Sequence, residues 1–168
     1  MRDVFDLIRE PGAANARAAS ASEVVLSASG VEPRRWRVVA DADAPADPGT
    51  IVPLARWLTL ADEGADLTRV GVAVEPDADI GPLRAHLGAI PVVAVHYPRF
   101  GDGRGYSHAR RLRHMWGYRG ELLAFGDVLR DQLVWMWRVG IDRFHLRADQ
   151  DPVASQRAFT LYSAFYQY

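Results

Sequence analysis

From Ile51 onward, the chain alternates between two hydrophobic periods, and this alternation limits the folds open to it more than any other feature. Four short runs read as strands: Val70–Glu75, Pro91–His96, Glu121–Phe125 and Asp142–Leu146. The first three are almost continuously apolar, which is typical of strands that are buried on both faces of a parallel sheet. Each run precedes apolar residues at helical spacing. The alternation therefore predicts an α/β fold of four consecutive βα units, with a parallel sheet flanked by helices.

The helical spacing of the apolar residues predicts which of them form the buried faces of the helices. These are Leu54, Trp57, Leu58 and Ala61 in a first helix, and then Ile80, Leu83 and Leu87; Ala109, Leu112 and Trp116; Leu129, Leu133 and Met136; and Ala154, Ala158, Leu161 and Phe165. The pattern does not determine the strand order. An open sandwich and half of a (β/α)8 barrel both fit it.

The part of the chain before Ile51 follows a different pattern. Residues 1–22 have low complexity and little hydrophobic periodicity, which predicts a flexible N-terminal tail ahead of a single α/β domain over residues 23–168. Two β-prone runs, Glu23–Ser29 and Arg35–Ala40, flank the segment Gly-Val-Glu-Pro. We therefore expect a small N-terminal β-hairpin with its turn at that segment.

Two missing residue types exclude several classes of enzyme. Cysteine is absent, which excludes disulfides, thiolate nucleophiles and cysteine-ligated zinc or iron–sulfur centres. All 20 basic side chains are arginine, so no lysine can form a Schiff base or bind phosphate in a P-loop. Pyridoxal enzymes and P-loop nucleotidases are thereby excluded. Because no complete cofactor motif is present, we expect no bound cofactor.

The charges are unevenly distributed, although the formal net charge is only −1. Residues 41–79 hold nine acids and two arginines, whereas residues 99–119 hold six arginines and one acid, Asp102. This overall balance predicts no binding to nucleic acid, but the arginine-rich segment can orient an acidic partner. Since neither a signal peptide nor a membrane-spanning run is apparent, we expect a cytoplasmic protein without membrane contact.

Three segments follow predicted strands, at the end of the sheet where α/β proteins bind ligands. The first, residues 98–113, combines Gly101, Gly103 and Gly105 with the start of a helix, which makes it a candidate anion cradle. These glycines permit positive φ and close backbone approach, and Ser107 is placed to cap the helix. The guanidinium groups of this segment that are candidates for binding belong to Arg104, Arg110 and Arg113.

The second and third segments add carboxylates and another arginine. Asp127 is expected to cap the helix that follows the third strand, and Asp131 is placed to act as an acid or base or to pair with Arg110 or Arg113. Arg147 follows the fourth strand and is expected to point toward the other two loops. The last helix is expected to be capped by Asp149 or Asp151. Asp102 and Asp131 are the candidates for proton transfer.

Histidine and tryptophan give weaker signals. The five histidines form neither an HxH motif nor a pair four residues apart, so no metal site is expected. His96 and His145 end strands and could serve a site, although buried and hydrogen-bonded histidines are more common there. Trp116, Trp135 and Trp137 have helical spacing and indicate core packing or a homo-oligomer interface.

Over residues 36–168, the chain resembles the bacterial family known as domain of unknown function 934. The resemblance lies in PRFGDGRGYSHARRLR at 98–113, GYRGELLAFGDVLRDQL at 117–133 and RVGIDRFHLRADQD at 138–151, with IVPLARWL at 51–58. Members of this family are often labelled as oxidoreductases of sulfite reduction. The resemblance carries a candidate site onto Asp102, Arg104, Ser107, Arg110, Arg113, Asp127, Arg130, Asp131, Gln132 and Arg147.

The resemblance implies an accessory protein of assimilatory sulfite reduction, which docks on siroheme sulfite reductase or on a ferredoxin-like electron donor through its arginine-rich loops. An adapter fits a chain without cysteine, lysine or a cofactor motif, and a basic surface fits an acidic electron carrier. The alternative is a small-anion-binding enzyme in which Arg104, Arg110 and Arg147 hold an oxyanion, while Asp102 or Asp131 transfers protons. Both hypotheses require the three loops to lie together at one end of the sheet.

Overall fold

The computed structural model describes residues 23–41, 43 and 45–160 of the chain. The predicted tail at residues 1–22 lies outside these residues, as do Leu161 and Phe165 of the last predicted helix. None of the helices in the described ranges has the length and apolar character that a bilayer crossing requires.

The described residues form one sheet of eight strands. The strands are β1 (Val24–Ser27), β2 (Gly30–Pro33), β3 (Arg37–Val38), β4 (Thr50–Pro53), β5 (Gly71–Val74), β6 (Val92–Tyr97), β7 (Glu121–Gly126) and β8 (Arg143–Phe144). Their order across the sheet is β2-β1-β8-β7-β6-β5-β4-β3. The strands from β3 to β8 are parallel, whereas β1 is antiparallel to both of its neighbours. Because the parallel strands occur in chain order, they are singly wound, as the strands of βα barrels are.

Mostly short helices follow the strands from β4 to β8. They are α1 (Leu54–Asp62) after β4, a 3₁₀ helix (Gly81–His86) after β5, α2 (Arg104–Arg110) with a π-helical turn (Arg111–Met115) after β6, a 3₁₀ turn (Arg130–Gln132) with α3 (Leu133–Arg138) after β7, and α4 (Pro152–Gln156) with a 3₁₀ turn (Arg157–Phe159) after β8. The helical segment after β5 begins with Gly81 and Pro82, and Gly88 after it disfavours a longer α-helix.

The sheet curls into a half-barrel, as the link between its two edge strands requires. Three residues separate the end of β2 at Pro33 from the start of β3 at Arg37, although these strands are the two edges of the sheet. Such a link spans at most about 14 Å, whereas the edges of a flat sheet of this size would lie about 34 Å apart. Accordingly, Val25, Val38 and Leu123, from three different strands, line one cavity of about 20 Å³ on the inner face.

The two faces of the curled sheet carry separate hydrophobic cores. The inner core consists of Val25, Ile51, Ala73, Val92, Ala94, Leu123 and Phe125, with Trp36 and Val38 packed against it. The outer core lies between the sheet and the helices and includes Trp57, whose indole donates a hydrogen bond to the Val70 carbonyl at 3.3 Å. Every residue of β5 and β6 is buried, which explains their continuous apolar sequence. Burial of each large apolar side chain stabilises the fold by about 1.5–3 kcal/mol.

The predicted mixed α/β fold is confirmed, and the half-barrel is the observed architecture of the two that were compatible with the sequence. The regular succession of four βα units is not confirmed. β8 contains only two residues, and the segments that follow the strands are partly 3₁₀ and π-helical. The strands Arg37–Val38 and Thr50–Pro53 extend the parallel part of the sheet beyond the four predicted strands.

A small N-terminal hairpin is present, but the prediction was wrong about its turn and about its second strand. Gly30–Pro33, the segment expected to form the turn, is the second strand and pairs with β1. Ser27 Oγ donates to the Glu32 carboxylate at 3.0 Å across this pair, which stabilises the register. Pro33 is tolerated because β2 is an edge strand. Arg37–Val38 instead pairs in parallel with β4 at the other edge.

Candidate functional site

The loops after β6 and β7 are joined at the carboxyl end of the sheet through the backbone of Phe100. Asp127 Oδ2 accepts a hydrogen bond from the Phe100 amide at 2.8 Å, and Gln132 Nε2 donates to the Phe100 carbonyl at 2.8 Å. Gln132 is buried, and its Oε1 accepts from the Leu129 amide at 3.2 Å. Side chains of one loop thus fix both polar backbone groups of a residue in the other.

Arg147 joins the third loop to the same network. Its Nη1 donates to Asp127 Oδ1 at 2.6 Å, and its Nε and Nη2 donate to the two carboxylate oxygens of Asp149 at 2.7 Å each. The hydrogen bonds to Asp149, followed by that to Asp127, raise the pKa of Arg147. The three loops therefore lie together, as both functional hypotheses require. Each of the three guanidinium nitrogens of Arg147, however, already donates one hydrogen bond to a carboxylate of the same chain.

The predicted helix caps at this end are partly wrong. The carboxylate of Asp127 does not cap the following helix, because it binds the Phe100 amide and Arg147 instead. Of the two residues predicted to cap the last helix, Asp151 does so, and it accepts hydrogen bonds from two amides of the first turn at 2.9 and 3.2 Å. The other, Asp149, binds Arg147.

Arg104 is held by Asp102 at the start of α2. Its Nε and Nη2 donate to Asp102 Oδ1 and Oδ2 at 3.0 and 2.7 Å, and its backbone amide donates to Oδ1 at 3.1 Å. The side-chain hydrogen bonds from Arg104 lower the pKa of Asp102 to about 2. Asp102 therefore carries no proton near neutral pH, which disfavours it as a general acid. Arg104 is 61% exposed, but the donors that form its bidentate fork are occupied.

The glycines of this turn do not adopt the conformation that the sequence suggests for an anion cradle. Neither Gly101, Gly103 nor Gly105 has a positive φ. Gly105 is buried, and a Cβ at this position would lie 2.7 Å from the Tyr97 ring, so its function is close packing of α2 against β6. Ser107 lies inside α2 and does not cap it, since Gly103 occupies the N-cap position.

Arg113 belongs to the opposite, amino end of the sheet, which corrects its assignment to the candidate site. Its guanidinium group donates to the carbonyls of Tyr118, Gly120 and Gly140 and to the carboxylate of Asp142. Gly120 immediately precedes β7, and Asp142 immediately precedes β8. Arg113 therefore fastens the amino ends of two strands and does not share a surface with the three loops.

The other candidate residues are exposed: Arg130 and Asp131 lie in the segment after β7, and Arg110 is the last residue of α2. Arg110, Arg130 and Asp131 are exposed, and among the described residues their side chains form no ion pair. The predicted pairing of Asp131 with Arg110 or Arg113 is therefore not observed. Arg99, which precedes Phe100, is likewise exposed and outside the ion pairs of the described residues.

Two features of this end are absent from the predicted site. Phe100 is 54% exposed, and a single aromatic residue among glycine and arginine gives no periodic signal. His96, buried on the inner face as expected for a histidine at a strand end, has its Nδ1 at 2.6 Å from Glu75 Oε2 and stacks on Phe125. The position of Glu75 directly after β5 was the available signal for this pair.

Among residues 23–41, 43 and 45–160, no group of three or more His, Asp or Glu side chains is arranged to hold a metal ion. The contacts at the carboxyl end instead join arginines, carboxylates and backbone groups of neighbouring loops.

Comparison with known proteins supports the resemblance on which the candidate site was based. The curated proteins contain no match to the chain. A family model described as "Bacterial protein of unknown function (DUF934)" matches residues 71–168, a range that contains all three loops. Because the match covers more than half of the chain, the chain belongs to the DUF934 family of bacterial proteins of unknown function.

Proposed function

We propose that this chain is an accessory protein of assimilatory sulfite reduction, which docks on sulfite reductase or on a ferredoxin-like electron donor. The docking region is residues 98–111, 126–132 and 146–150, which we call the loop surface. One observation carries the proposal. Internal hydrogen bonds fasten these loops together and leave Arg99, Arg110 and Arg130 exposed and outside the ion pairs of the described residues.

The loop surface is positively charged, although the whole chain is not. It contains six arginines and four aspartates, a net charge of +2, whereas the chain has a net charge of −1. Three of the aspartates are paired with Arg104 and Arg147, so the surplus charge resides on the exposed arginines. Positive charge of this kind accelerates the association with an acidic protein and makes the association sensitive to salt.

The family resemblance of the loops connects this surface to sulfite reduction. Electron-transfer partners form small, transient interfaces, for which steering by charge matters more than a large apolar contact area. A chain without cysteine or lysine fits the role of an adapter in such an assembly. A basic surface suits an acidic electron carrier such as ferredoxin, and sulfite reductase is the other docking partner.

The geometry gives less support to a small-anion-binding enzyme. Of the three arginines that this hypothesis assigns to the oxyanion, Arg104 and Arg147 already donate to the carboxylates of Asp102, Asp127 and Asp149, which leaves Arg110. A small anion would have to displace these carboxylates from geometrically favourable pairs. Docking by the exposed arginines requires no such displacement.

Surface plasmon resonance with purified sulfite reductase and ferredoxin from the same bacterium tests the proposal. Binding is measured at low ionic strength and at about 0.15 M salt. The triple variant Arg99→Gln, Arg110→Gln, Arg130→Gln is expected to associate about tenfold more slowly at low salt and to show a weaker salt dependence. The double variant Arg69→Gln, Arg119→Gln removes exposed charges near the amino end and is expected to bind like the wild type.

Two results would overturn docking by this surface. One is the absence of binding to either partner at low salt, together with unchanged turnover of the reductase when the chain is added. The other is a triple variant that associates as fast as the wild type. A double control variant that slows association as much as the triple variant does would show that overall charge, and not the loop surface, drives the encounter.

A further inference from the structure

Phe100 is the large apolar residue that the loop surface exposes. The residue is 54% exposed, and it belongs to neither hydrophobic core. The backbone beneath it is nevertheless fixed on both sides, by Asp127 at the amide and by Gln132 at the carbonyl, each at 2.8 Å. The loop therefore displays an aromatic ring in water on an ordered base.

Asp127 and Gln132, which bind the backbone of Phe100, form further hydrogen bonds that fix their own positions. Gln132 is buried, and its second polar atom accepts from the Leu129 amide at 3.2 Å. The Asp127 amide donates to the Tyr97 carbonyl at 2.6 Å, and its carboxylate binds Arg147 at 2.6 Å. Because this base is ordered before any partner arrives, the entropy cost of ordering the loop on binding is already small.

We propose that Phe100 is the apolar anchor of the loop surface, and that the protein partner offers a pocket for its ring within an acidic surface. The inference rests on the proposed docking function and specifies the chemistry of the partner. Binding hot spots are commonly aromatic side chains that enter a pocket, with charged residues around them. The exposed arginines, Arg99 directly before Phe100 and Arg130 in the adjoining loop, supply charge that is complementary to acidic groups at the rim of the pocket.

The anchor and the arginines are expected to affect different rate constants. Removing the ring by Phe100→Ala changes no charge and no backbone hydrogen bond, so the association rate and the salt dependence should stay as in the wild type. The complex should dissociate about 30-fold faster, since a buried aromatic anchor contributes strongly to the lifetime of a complex. The triple arginine variant should do the converse and mainly slow association.

The experiment measures association and dissociation rates of wild type, Phe100→Ala, Phe100→Leu and Met115→Ala with purified ferredoxin and sulfite reductase. Phe100→Leu keeps an apolar side chain and should recover part of the loss. Met115 is 70% exposed but lies outside the loop surface, so Met115→Ala is the matched control and should dissociate like the wild type. Amide exchange at residue 100 verifies that each variant keeps the ordered base.

The possible results separate the anchor from the docking function. If Phe100→Ala dissociates like the wild type while the triple arginine variant associates slowly, the anchor is refuted and the docking function stands. If Met115→Ala shortens the complex lifetime as much as Phe100→Ala, the effect is not specific to the loop surface and the anchor is refuted as well. If neither partner binds the wild type, both the anchor and the docking function are refuted.

Discussion

Arg113, at the amino end of the parallel strands, uses its guanidinium group differently from Arg104 and Arg147 at the carboxyl end. At the amino end, Arg113 is only 20% exposed, and its guanidinium donates to three backbone carbonyls and one carboxylate. At the carboxyl end, Arg104 and Arg147 are 61% and 44% exposed, and their side chains donate to carboxylates. Burial and the type of acceptor therefore distinguish an arginine that supports the fold from one that shapes a surface.

The physical reason lies in the cost of an unpaired buried group. Hydrogen bonds from Arg113 to carbonyls on both sides connect the chain before β7 with the chain before β8, and their loss would leave part-buried acceptors without a donor. An ion pair between an exposed arginine and a carboxylate stabilises the fold less, because water competes for both partners. We infer that the amino end supports the fold and that the carboxyl end displays the loop surface.

Replacement of Arg113 is expected to have the largest effect on stability. Arg113→Met keeps an unbranched side chain near the Tyr118 ring but removes the donor of three carbonyls and of Asp142, so the free energy of unfolding should fall by about 3 kcal/mol. Urea unfolding followed by circular dichroism measures the change. The exposed Arg119, in Arg119→Met, is the control and should change the value by less than about 0.5 kcal/mol. Similar losses for the two variants would refute the supporting role of the amino end.

Replacement of Gly126, at the carboxyl end of β7, tests whether the carboxyl ends of the strands are as closely packed as their amino ends. Gly126 has a φ of +100°, and a Cβ there would lie 2.5 Å from the Tyr97 carbonyl oxygen and 2.8 Å from His96 Cδ2. Gly126→Ala should therefore lower the free energy of unfolding by about 2 kcal/mol. Gly101→Ala, where a Cβ meets no atom within 4 Å, should change it by no more than about 0.5 kcal/mol. Thermal unfolding compares the two, and an equal response would contradict close packing at Gly126.

Hydrophobic periodicity was sufficient to predict the central strands of the sheet but not its edge strands. β5 and β6 are buried on both faces, so the inside of the sheet appears directly as a continuous apolar run. β3 has only two residues, and it joins the sheet because the curl brings it beside β4. A pairing that depends on the curvature of the whole sheet leaves no local pattern in the sequence.

The candidate site was predictable in the same partial way. That three loops meet follows from parallel strands, since their carboxyl ends lie on one side. The sequence does not predict that Arg113 is bonded at the amino end while Arg110 is exposed. Both belong to one basic motif, and the acceptors of Arg113 lie later in the chain, at residues 118–142. A π-helical turn also begins at Arg111 and changes the direction of the side chains after it relative to a regular α-helix.

A smaller effect is expected when the hydrogen bonds of the loop surface are removed. Asp127→Ala deprives the Phe100 amide and one Arg147 donor of their acceptor, but both lie in exposed residues, so the free energy of unfolding should fall by only about 1 kcal/mol. Amide exchange measured by NMR should become about tenfold faster at Phe100. The Leu122 amide, which donates to Asp142 at 2.9 Å at the amino end, should exchange as in the wild type. Unchanged exchange at Phe100 would show that Asp127 does not order this loop.

The smallest effect concerns the titration of Asp102. Arg104 lowers the pKa of this carboxyl from 3.8 to about 2. A carboxyl whose pKa is lower in the folded state stabilises the fold above its unfolded pKa, and this contribution is lost as the pH falls from about 4 to about 2. Because the pair is exposed, the change in stability should be small, and NMR titration of the Asp102 carboxyl carbon is the more sensitive measurement. Arg104→Gln should return the midpoint toward 3.8, whereas Arg99→Gln should move it far less, since Arg99 contributes least to the shift. A midpoint near 3.8 in the wild type would mean that Arg104 does not bind Asp102 in solution. Arg104 would then be as available to a partner as Arg99. The contrast between the two ends of the sheet would in that case depend on Arg113 and Arg147 alone.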